Sequence, residues 1–209
     1  MLSKLLSSLL VTVLLLSSPA TAQYRKKNFN SFGLSFGIPW VSTYCFHNYE
    51  LQKADYKIGF FGFSTGIFYK TPDYKISLSG GFTSDLPAPI GPVDYGHKGT
   101  RAAVSSFYLE ALHHQRIVNR LYAVGGINSA WYRYKLISYE DSIKGYTRTD
   151  PAYGITVGAE YVVARFFSAG IFYRPALITK DPQQYRHLIT MDLRFDINLI
   201  RWRKNVKKK

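Results

Sequence analysis

From residue 31 onward the sequence alternates large apolar residues with small or polar ones at a period of two, a pattern typical of half-buried strands. The last stretch is the clearest, because positions 189, 191, 193, 195, 197 and 199 are all apolar and the positions between them are polar. We recognise eight such stretches, at about 31–38, 58–70, 74–83, 102–112, 121–134, 153–161, 167–174 and 189–199. In the fifth stretch the outward face is ambiguous, because large apolar residues occur on both faces: Ile127 and Trp131 on one, and Tyr122, Val124 and Tyr132 on the other. A bulge in the strand would explain this pattern.

The connections between these stretches alternate in length. They are long, roughly 11 to 18 residues, after the first, third, fifth and seventh stretches, and short, roughly 3 to 8 residues, after the second, fourth and sixth. Regular alternation of this kind predicts antiparallel strands that meander up and down between two unlike ends. No helix of more than a turn or two is needed anywhere in the pattern.

The N-terminal segment reads as a secretory signal. Lys4 precedes an apolar run of 12 residues from Leu5 to Leu16, and the small residues Ala20 and Ala22 fit a cleavage site before Gln23. Twelve residues are too few for a helix to span a bilayer. We therefore predict a signal at 1–22, one domain at 23–200 and a basic tail at 201–209.

The single cysteine, Cys45, excludes an internal disulfide framework, and we interpret it as a lone, partly buried thiol.

Periodicity alone does not say which face of a barrel is outside, but the two faces differ in size. The polar face consists largely of Gly, Ser and Thr, which fit inside a narrow eight-stranded barrel, whereas the apolar face is bulky and ends in aromatic residues. An apolar band between two aromatic girdles is typical of barrels surrounded by lipid. The predicted girdle residues are Tyr69, Tyr74, Phe82, Tyr153, Tyr161, Phe167 and Tyr173.

With that orientation, residues 29 to 199 resemble the small eight-stranded outer-membrane β-barrels of diderm bacteria, the OmpA and OmpX type. The resemblance is one of architecture and rests on no short motif. It implies an all-β fold, an eight-stranded antiparallel up-and-down transmembrane β-barrel, monomeric and located in the outer membrane after export. Such proteins commonly end in an aromatic residue, whereas here the last stretch continues into Arg201, Trp202, Arg203 and Lys204.

Charged residues fall on the face predicted to line the lumen. Because an isolated charge in a narrow lumen is costly, we expect these residues to form ion pairs and to close the barrel. Arg194 is the expected hub, since its guanidinium can bridge two carboxylates, with Glu160 or Glu110 as partners. The predicted network consists of Lys75, Glu110, Glu160, Asp192, Arg194 and Asp196. This interpretation predicts a non-enzymatic protein without cofactor, whose long loops serve binding or envelope integrity.

The net charge is +14, and it becomes +13 without residues 1–22, which hold one cation and no acid. In the topology that the resemblance implies, the excess lies at the periplasmic ends of the strands and in the tail. The expected partners are the lipids of the outer membrane, including anionic phospholipid or lipopolysaccharide. A docking subunit of an envelope complex, using this basic face, is an alternative; nucleic acid is not expected, because export removes that partner.

An enzymatic alternative depends on three residues of the predicted outer loops. His47 lies in the first long connection, and Ser84 and Asp85 lie where the second begins. An eight-stranded lipid A palmitoyltransferase keeps the same three residue types in its outer loops, so a lipid A-modifying acyltransferase remains open. The pair His113-His114 is expected in an exposed periplasmic turn, and no metal site is predicted there.

Overall fold

The computed structural model describes residues 29–49, 51–85, 100–138, 144–180 and 186–203. The expected signal at 1–22 and residues 204–209 of the expected tail lie outside the described residues. The described residues form nine strands and no helix, and none of them belongs to a helix long and apolar enough to cross a membrane. The strands are β1 (Phe29–Asn48), β2 (Lys53–Gly59), β3 (Phe61–Lys70), β4 (Tyr74–Ser84), β5 (Thr100–Val118), β6 (Leu121–Ser138), β7 (Tyr146–Ala164), β8 (Phe167–Thr179) and β9 (His187–Arg203).

The strands form one antiparallel sheet that closes on itself. Each strand from β3 to β8 pairs with the next along the chain, and β1 pairs with both β3 and β9. Strands β2 and β3 occupy a single position in the ring, because they are separated only by Phe60 and pair with successive parts of β1. The ring of hydrogen bonds therefore has eight positions, and the predicted antiparallel up-and-down architecture is confirmed.

The first connection differs from the expectation of a long loop. Strand β1 continues through Pro39 to Asn48, and turn residues 49, 51 and 52 precede β2. Proline cannot donate to a ladder and is tolerated at irregularities, and here the register with β9 shifts between Pro39 and Val41. In the turn, the Asn48 side chain accepts a hydrogen bond from the backbone N–H of Leu51 at 3.2 Å. The outcome is a β1–β2 hairpin.

The last strand also extends further than predicted. Strand β9 runs to Arg203 and pairs with β1 up to the end, where Phe29 lies opposite Arg203. Residues 201–203, which the sequence assigned to the tail, are therefore part of the sheet.

The distribution of side chains is inverted relative to a soluble protein. Large apolar side chains on alternate positions are exposed on the outside, and Ile127 is 67% exposed. The positions between them are buried inside the ring and are frequently polar or charged. An outer apolar face of this kind is what a surrounding lipid phase would cover. Exposed outer residues from different strands are Ile38, Ile67, Leu78, Leu109, Ile155, Val157, Ile171 and Met191.

The ambiguous facing of the fifth stretch is resolved in β6. Tyr122, Tyr132 and Tyr134 are buried inside the ring, whereas Ile127 is exposed outside. The predicted bulge is absent, because the register with β7 is continuous from Leu121 to Leu136.

Glycines on the inner face make room for large side chains. A Cβ atom on Gly81 would overlap the ring of Tyr108, which lies on the neighbouring strand β5. Phe172 similarly lies against Gly158 and Gly170. Small residues therefore let aromatic rings lie across a narrow lumen.

Candidate functional site

The lumen is the best-defined site of the described residues. Two ends of the barrel are distinguished: the turn end carries the turns at 71–73, 119–120 and 165–166, and the loop end lies opposite. Buried side chains from several strands meet inside the ring at successive levels between these ends.

Nearest the turn end, one lysine holds two carboxylates. Lys75 Nζ on β4 lies 2.8 Å from Glu160 Oε1 on β7 and 3.3 Å from Asp196 Oδ2 on β9. Ser168 donates a further hydrogen bond to Glu160 at 2.9 Å. All of these side chains are buried. We call Lys75, His114, Glu160 and Asp196 the turn-end cluster.

His114 belongs to this cluster, which corrects the expectation of an exposed turn. Its Nδ1 lies 2.9 Å from Glu160 Oε2, and its Nε2 lies 3.0 Å from the hydroxyl of Ser77. The reason is that β5 continues to Val118, so that position 114 points into the lumen. His113 points outward and stacks on Tyr74, with 5.6 Å between ring centroids. No group of metal-binding side chains occurs among the described residues.

A second set of charges, the central cluster, consists of Glu110, Arg174, Asp192 and Arg194. Arg174 donates to both oxygens of Glu110, from Nε at 2.9 Å and from Nη2 at 3.3 Å. Arg194 Nη2 lies 3.2 Å from Glu110 Oε1 and 3.2 Å from Asp192 Oδ2. Charges that are desolvated to this degree persist only with such partners.

Hydroxyl groups and aromatic rings add further contacts to Glu110 and to the two arginines of the central cluster. Ser79 and Thr156 donate to Glu110 at 3.2 and 3.3 Å. The guanidinium of Arg194 lies 4.1 Å from the centroid of the Phe172 ring, and that of Arg174 lies 4.4 Å from the centroid of Tyr108. These contacts attract the cations through the ring faces and fill the space around them.

The structure brings together all six charged residues named from the sequence, but it divides them between two clusters. Arg194 meets Glu110, one of its two expected partners, whereas Glu160 pairs with Lys75. Sequence reasoning omitted Arg174 from the network and placed His114 elsewhere. Arg174 could have been found, because it follows Ser168 and Gly170 on the polar face of the same alternating stretch.

Toward the loop end, aromatic and aliphatic side chains replace the charges. Tyr108 joins this aromatic cluster to the central cluster, because its buried ring contacts the guanidinium of Arg174. Six strands contribute side chains to the lumen at this level. The aromatic cluster consists of Tyr44, Phe46, Val104, Tyr108, Ala130, Tyr132, Tyr134, Leu136, Ala152, Ala176 and Leu188.

At the loop end, the β1–β2 turn reaches across the barrel. Tyr49 donates a hydrogen bond to Asp150 on β7 at 2.5 Å, and Arg186 bonds both Tyr49 and Asp150, at 2.9 and 3.1 Å. Arg148 lies 4.2 Å from the centroid of the Tyr49 ring. Burial and the hydrogen bond to Asp150 raise the pKa of Tyr49 to about 12. We call these four residues the mouth cluster.

The three residues of the enzymatic alternative do not meet. His47 lies in β1 opposite Ala54, near the tip of the hairpin, whereas Ser84 lies opposite Phe61 and Ser105. Asp85 is paired with Lys57 at 3.5 Å. Among the described residues no hydrogen bond or ion pair joins His47 to either of the others, and a triad is not assembled in this arrangement.

The seven predicted girdle residues all point away from the lumen, since they alternate with buried positions. Tyr69 and Tyr74 flank the β3–β4 turn with 6.4 Å between ring centroids, and Tyr161 and Phe167 flank the β7–β8 turn. Phe82 lies near the loop-end terminus of β4, whereas Tyr153 and Tyr173 lie near the middle of β7 and β8. Trp202 stacks on Tyr69 at 5.9 Å and extends the turn-end group.

Comparison with known proteins rests on structure alone. No family model matches the chain, and no curated protein matches it. The attachment invasion locus protein Ail of Yersinia pestis superposes with a TM-score of 0.53 at 13% identity, over 82% of this chain and 99% of Ail. Ail in complex with the heparin analogue sucrose octasulfate gives a TM-score of 0.51 at 11% identity, over 81% of this chain and 98% of Ail. Neisserial surface protein A gives 0.48 at 13% identity, over 80% and 99%.

Identities this low show the fold and leave the activity open. The eight-position ring, the outward apolar face and the likeness to Ail agree with one another. The chain therefore has the architecture of the small eight-stranded outer-membrane β-barrels.

Proposed function

We propose that the protein is an integral outer-membrane barrel whose lumen is closed by its own side chains, and that it acts as a non-enzymatic scaffold presenting its loop end for binding or envelope integrity. The observation that carries this proposal is the unbroken series of buried side chains along the lumen. Turn-end, central, aromatic and mouth clusters follow one another from one end to the other.

Membrane residence is supported by the outer face. Exposed apolar residues cover the middle of the strands, and aromatic side chains lie at both ends. Exposing such a surface to water would cost a free energy of about 25 cal/mol per Å² of apolar area, whereas contact with lipid avoids that cost.

Closure of the lumen is supported by the ion pairs. An aqueous pore would require water around Glu110 and Arg174, but both side chains are buried and bond each other. Eight strands leave an interior just wide enough for side chains. The side chains that fill it come from opposite walls, and they would have to separate to admit an ion.

The experiment combines location and conductance. The mature protein should fractionate with the outer membrane, and it should migrate differently on gels with and without heating, as closed barrels do. In planar bilayers the folded protein should give no stable channels. Recovery in the soluble periplasmic fraction would reject the location, and steady porin-like currents would reject the closed lumen.

A variant makes the conductance measurement more decisive. Replacing both Glu110 and Arg174 with Ala removes the centre of the central cluster and shortens two side chains that cross the lumen. We expect small currents from this variant if the cluster is what closes the barrel. If neither the wild type nor the variant gives currents in bilayers that are shown to contain folded protein, the closure would be assigned to the other clusters.

A further inference from the structure

On the outer face at the loop end, two cations lie above a belt of aromatic rings. Phe82, Phe107 and Trp131 are neighbours across three strands, and the rings of Phe107 and Trp131 have centroids 5.6 Å apart. Arg133 and Lys135 follow Trp131 on the same face of β6, and both are exposed. At about 3.3 Å per residue, they lie about 7 and 13 Å further along the strand. This is the level at which lipid headgroups follow an aromatic girdle.

The surroundings of these cations are rich in hydroxyl groups and, among the residues that the structure describes, hold no unpaired carboxylate. Ser105 lies opposite Arg133 on β5, and Thr149 and Thr147 lie opposite Arg133 and Lys135 on β7. A groove of about 180 Å³ lies here, and Ser84, Ser105, Arg133 and Lys135 line it. Asp85 also lines it, but its carboxylate is held by Lys57 at 3.5 Å.

Arg133 and Lys135 differ from the cations of the lumen in their carboxylate partners. Lys75, Arg174 and Arg194 are each paired with carboxylates. Neither Arg133 nor Lys135 forms an ion pair with any residue that the structure describes. A guanidinium, an ammonium and several hydroxyls that converge on one groove are suited to a phosphate group, which accepts several charge-assisted hydrogen bonds at once.

We propose that Arg133 and Lys135, with the hydroxyls of Ser84 and Ser105, bind the phosphate group of an anionic glycolipid in the outer leaflet of the membrane. This inference rests on the proposed function, because the headgroup level is defined only for a barrel in a bilayer. The four side chains face sideways toward lipid, and none of them belongs to the clusters that fill the lumen, although Val104 of the aromatic cluster also lines the groove.

The test titrates the full mature chain, folded in zwitterionic micelles, with diphosphoryl lipid A and measures Kd. The double variant R133Q/K135Q should bind about tenfold more weakly, since it removes both charged contacts. The matched control R120Q/R165Q removes two cations from the turn end and should bind like wild type. Equal weakening in both variants, or none in R133Q/K135Q, would overturn the proposal.

Two competition measurements identify the chemistry of the ligand. Lipid A stripped of its phosphates should not compete, and inorganic phosphate at millimolar concentration should not displace the lipid. Displacement by inorganic phosphate would show a site for free phosphate and overturn the assignment to lipid. Heat-dependent gel migration of the same samples separates the two proposals. Loss of this heat-dependent shift would reject the membrane barrel, whereas a folded barrel that does not bind lipid A would reject this site alone.

Discussion

Arg194 and Glu110 lie on strands β9 and β5, which are not neighbours in the sheet, and yet Arg194 Nη2 is 3.2 Å from Glu110 Oε1. The pair therefore crosses the lumen and joins opposite walls of the barrel. Asp192 adds a second carboxylate to this pair, because its Oδ2 lies 3.2 Å from the same Nη2 atom of Arg194.

Replacing Arg194 with Ala should destabilise the barrel by about 3 kcal/mol, because it leaves Asp192 buried with Arg174 as its nearest cation at 3.9 Å. Glu110 keeps Arg174, so the loss should lie at the lower end of the range for broken buried pairs. Leu at the same position should not restore stability, since it donates no hydrogen bond. Urea unfolding of the folded protein in lipid vesicles measures the change.

The control for Arg194 is Arg165→Ala in the exposed β7–β8 turn, which should change stability by about 0.5 kcal/mol or less. In the double variant R194A/D192N the loss should be smaller than in R194A, because the unpaired charge is removed. Equal stability of R194A and R165A would contradict the role given to the central cluster.

Lys75→Met should cost about 4 kcal/mol, because Glu160 and Asp196 would then face each other without the ammonium between them. Adding Glu160→Gln should recover part of the loss. Lys53→Met, at an exposed position of β2, is the matched control and should be nearly neutral. The same unfolding measurement applies, and a K75M variant as stable as K53M would show that the turn-end cluster contributes nothing.

The alternation of apolar and polar residues was sufficient to predict most of the fold. Asp192, Arg194 and Asp196 alternate with Met191, Leu193 and Phe195, and the structure places the first three inside. A period of two fixes facing without knowledge of the rest of the chain. The number of ring positions followed from counting such stretches.

Strand ends and side-chain partners could not be predicted in this way. The predicted first stretch ends at residue 38, whereas a register shift between Pro39 and Val41 lets β1 continue to Asn48. His114 was assigned to a turn because nothing local marks the end of β5 at Val118. Which carboxylate meets Lys75 depends on the register of non-adjacent strands, and that information is not local.

Val157→Arg should destabilise the barrel by about 2 to 4 kcal/mol, because Val157 is exposed on the outer face near the middle of β7 and would bring a charge into lipid. Thr147→Arg, on the same strand and face but beyond Tyr153, should be nearly neutral. Unfolding in vesicles compares the two. Equal tolerance of both substitutions would reject the orientation of the apolar face.

Gly81→Ala should cost about 1 to 3 kcal/mol, because the added methyl group would overlap the ring of Tyr108 and force it from its place above Arg174. Gly125→Ala on β6 is the control, since nothing lies within 4 Å of a Cβ atom there. Near-ultraviolet circular dichroism should report the displaced tyrosine only in G81A. Identical spectra and stabilities for the two variants would show that Tyr108 has room to move.

Tyr49→Phe should loosen the β1–β2 hairpin while leaving the barrel folded. The hydroxyl of Tyr49 bonds both Asp150 and Arg186, and each bond ties the hairpin tip to the far side of the mouth. A hydrogen bond to a charged group contributes about 1.5 to 3 kcal/mol, so local opening should become at least about tenfold more frequent. Trypsin cleavage after Lys53, which lies beside the turn, reports that opening when reclosure is faster than cleavage. Tyr56→Phe is the matched control, because Tyr56 lies on the outer face of β2 and is 63% exposed. Cleavage of Y49F at the wild-type rate would show that the mouth cluster does not hold the hairpin in place.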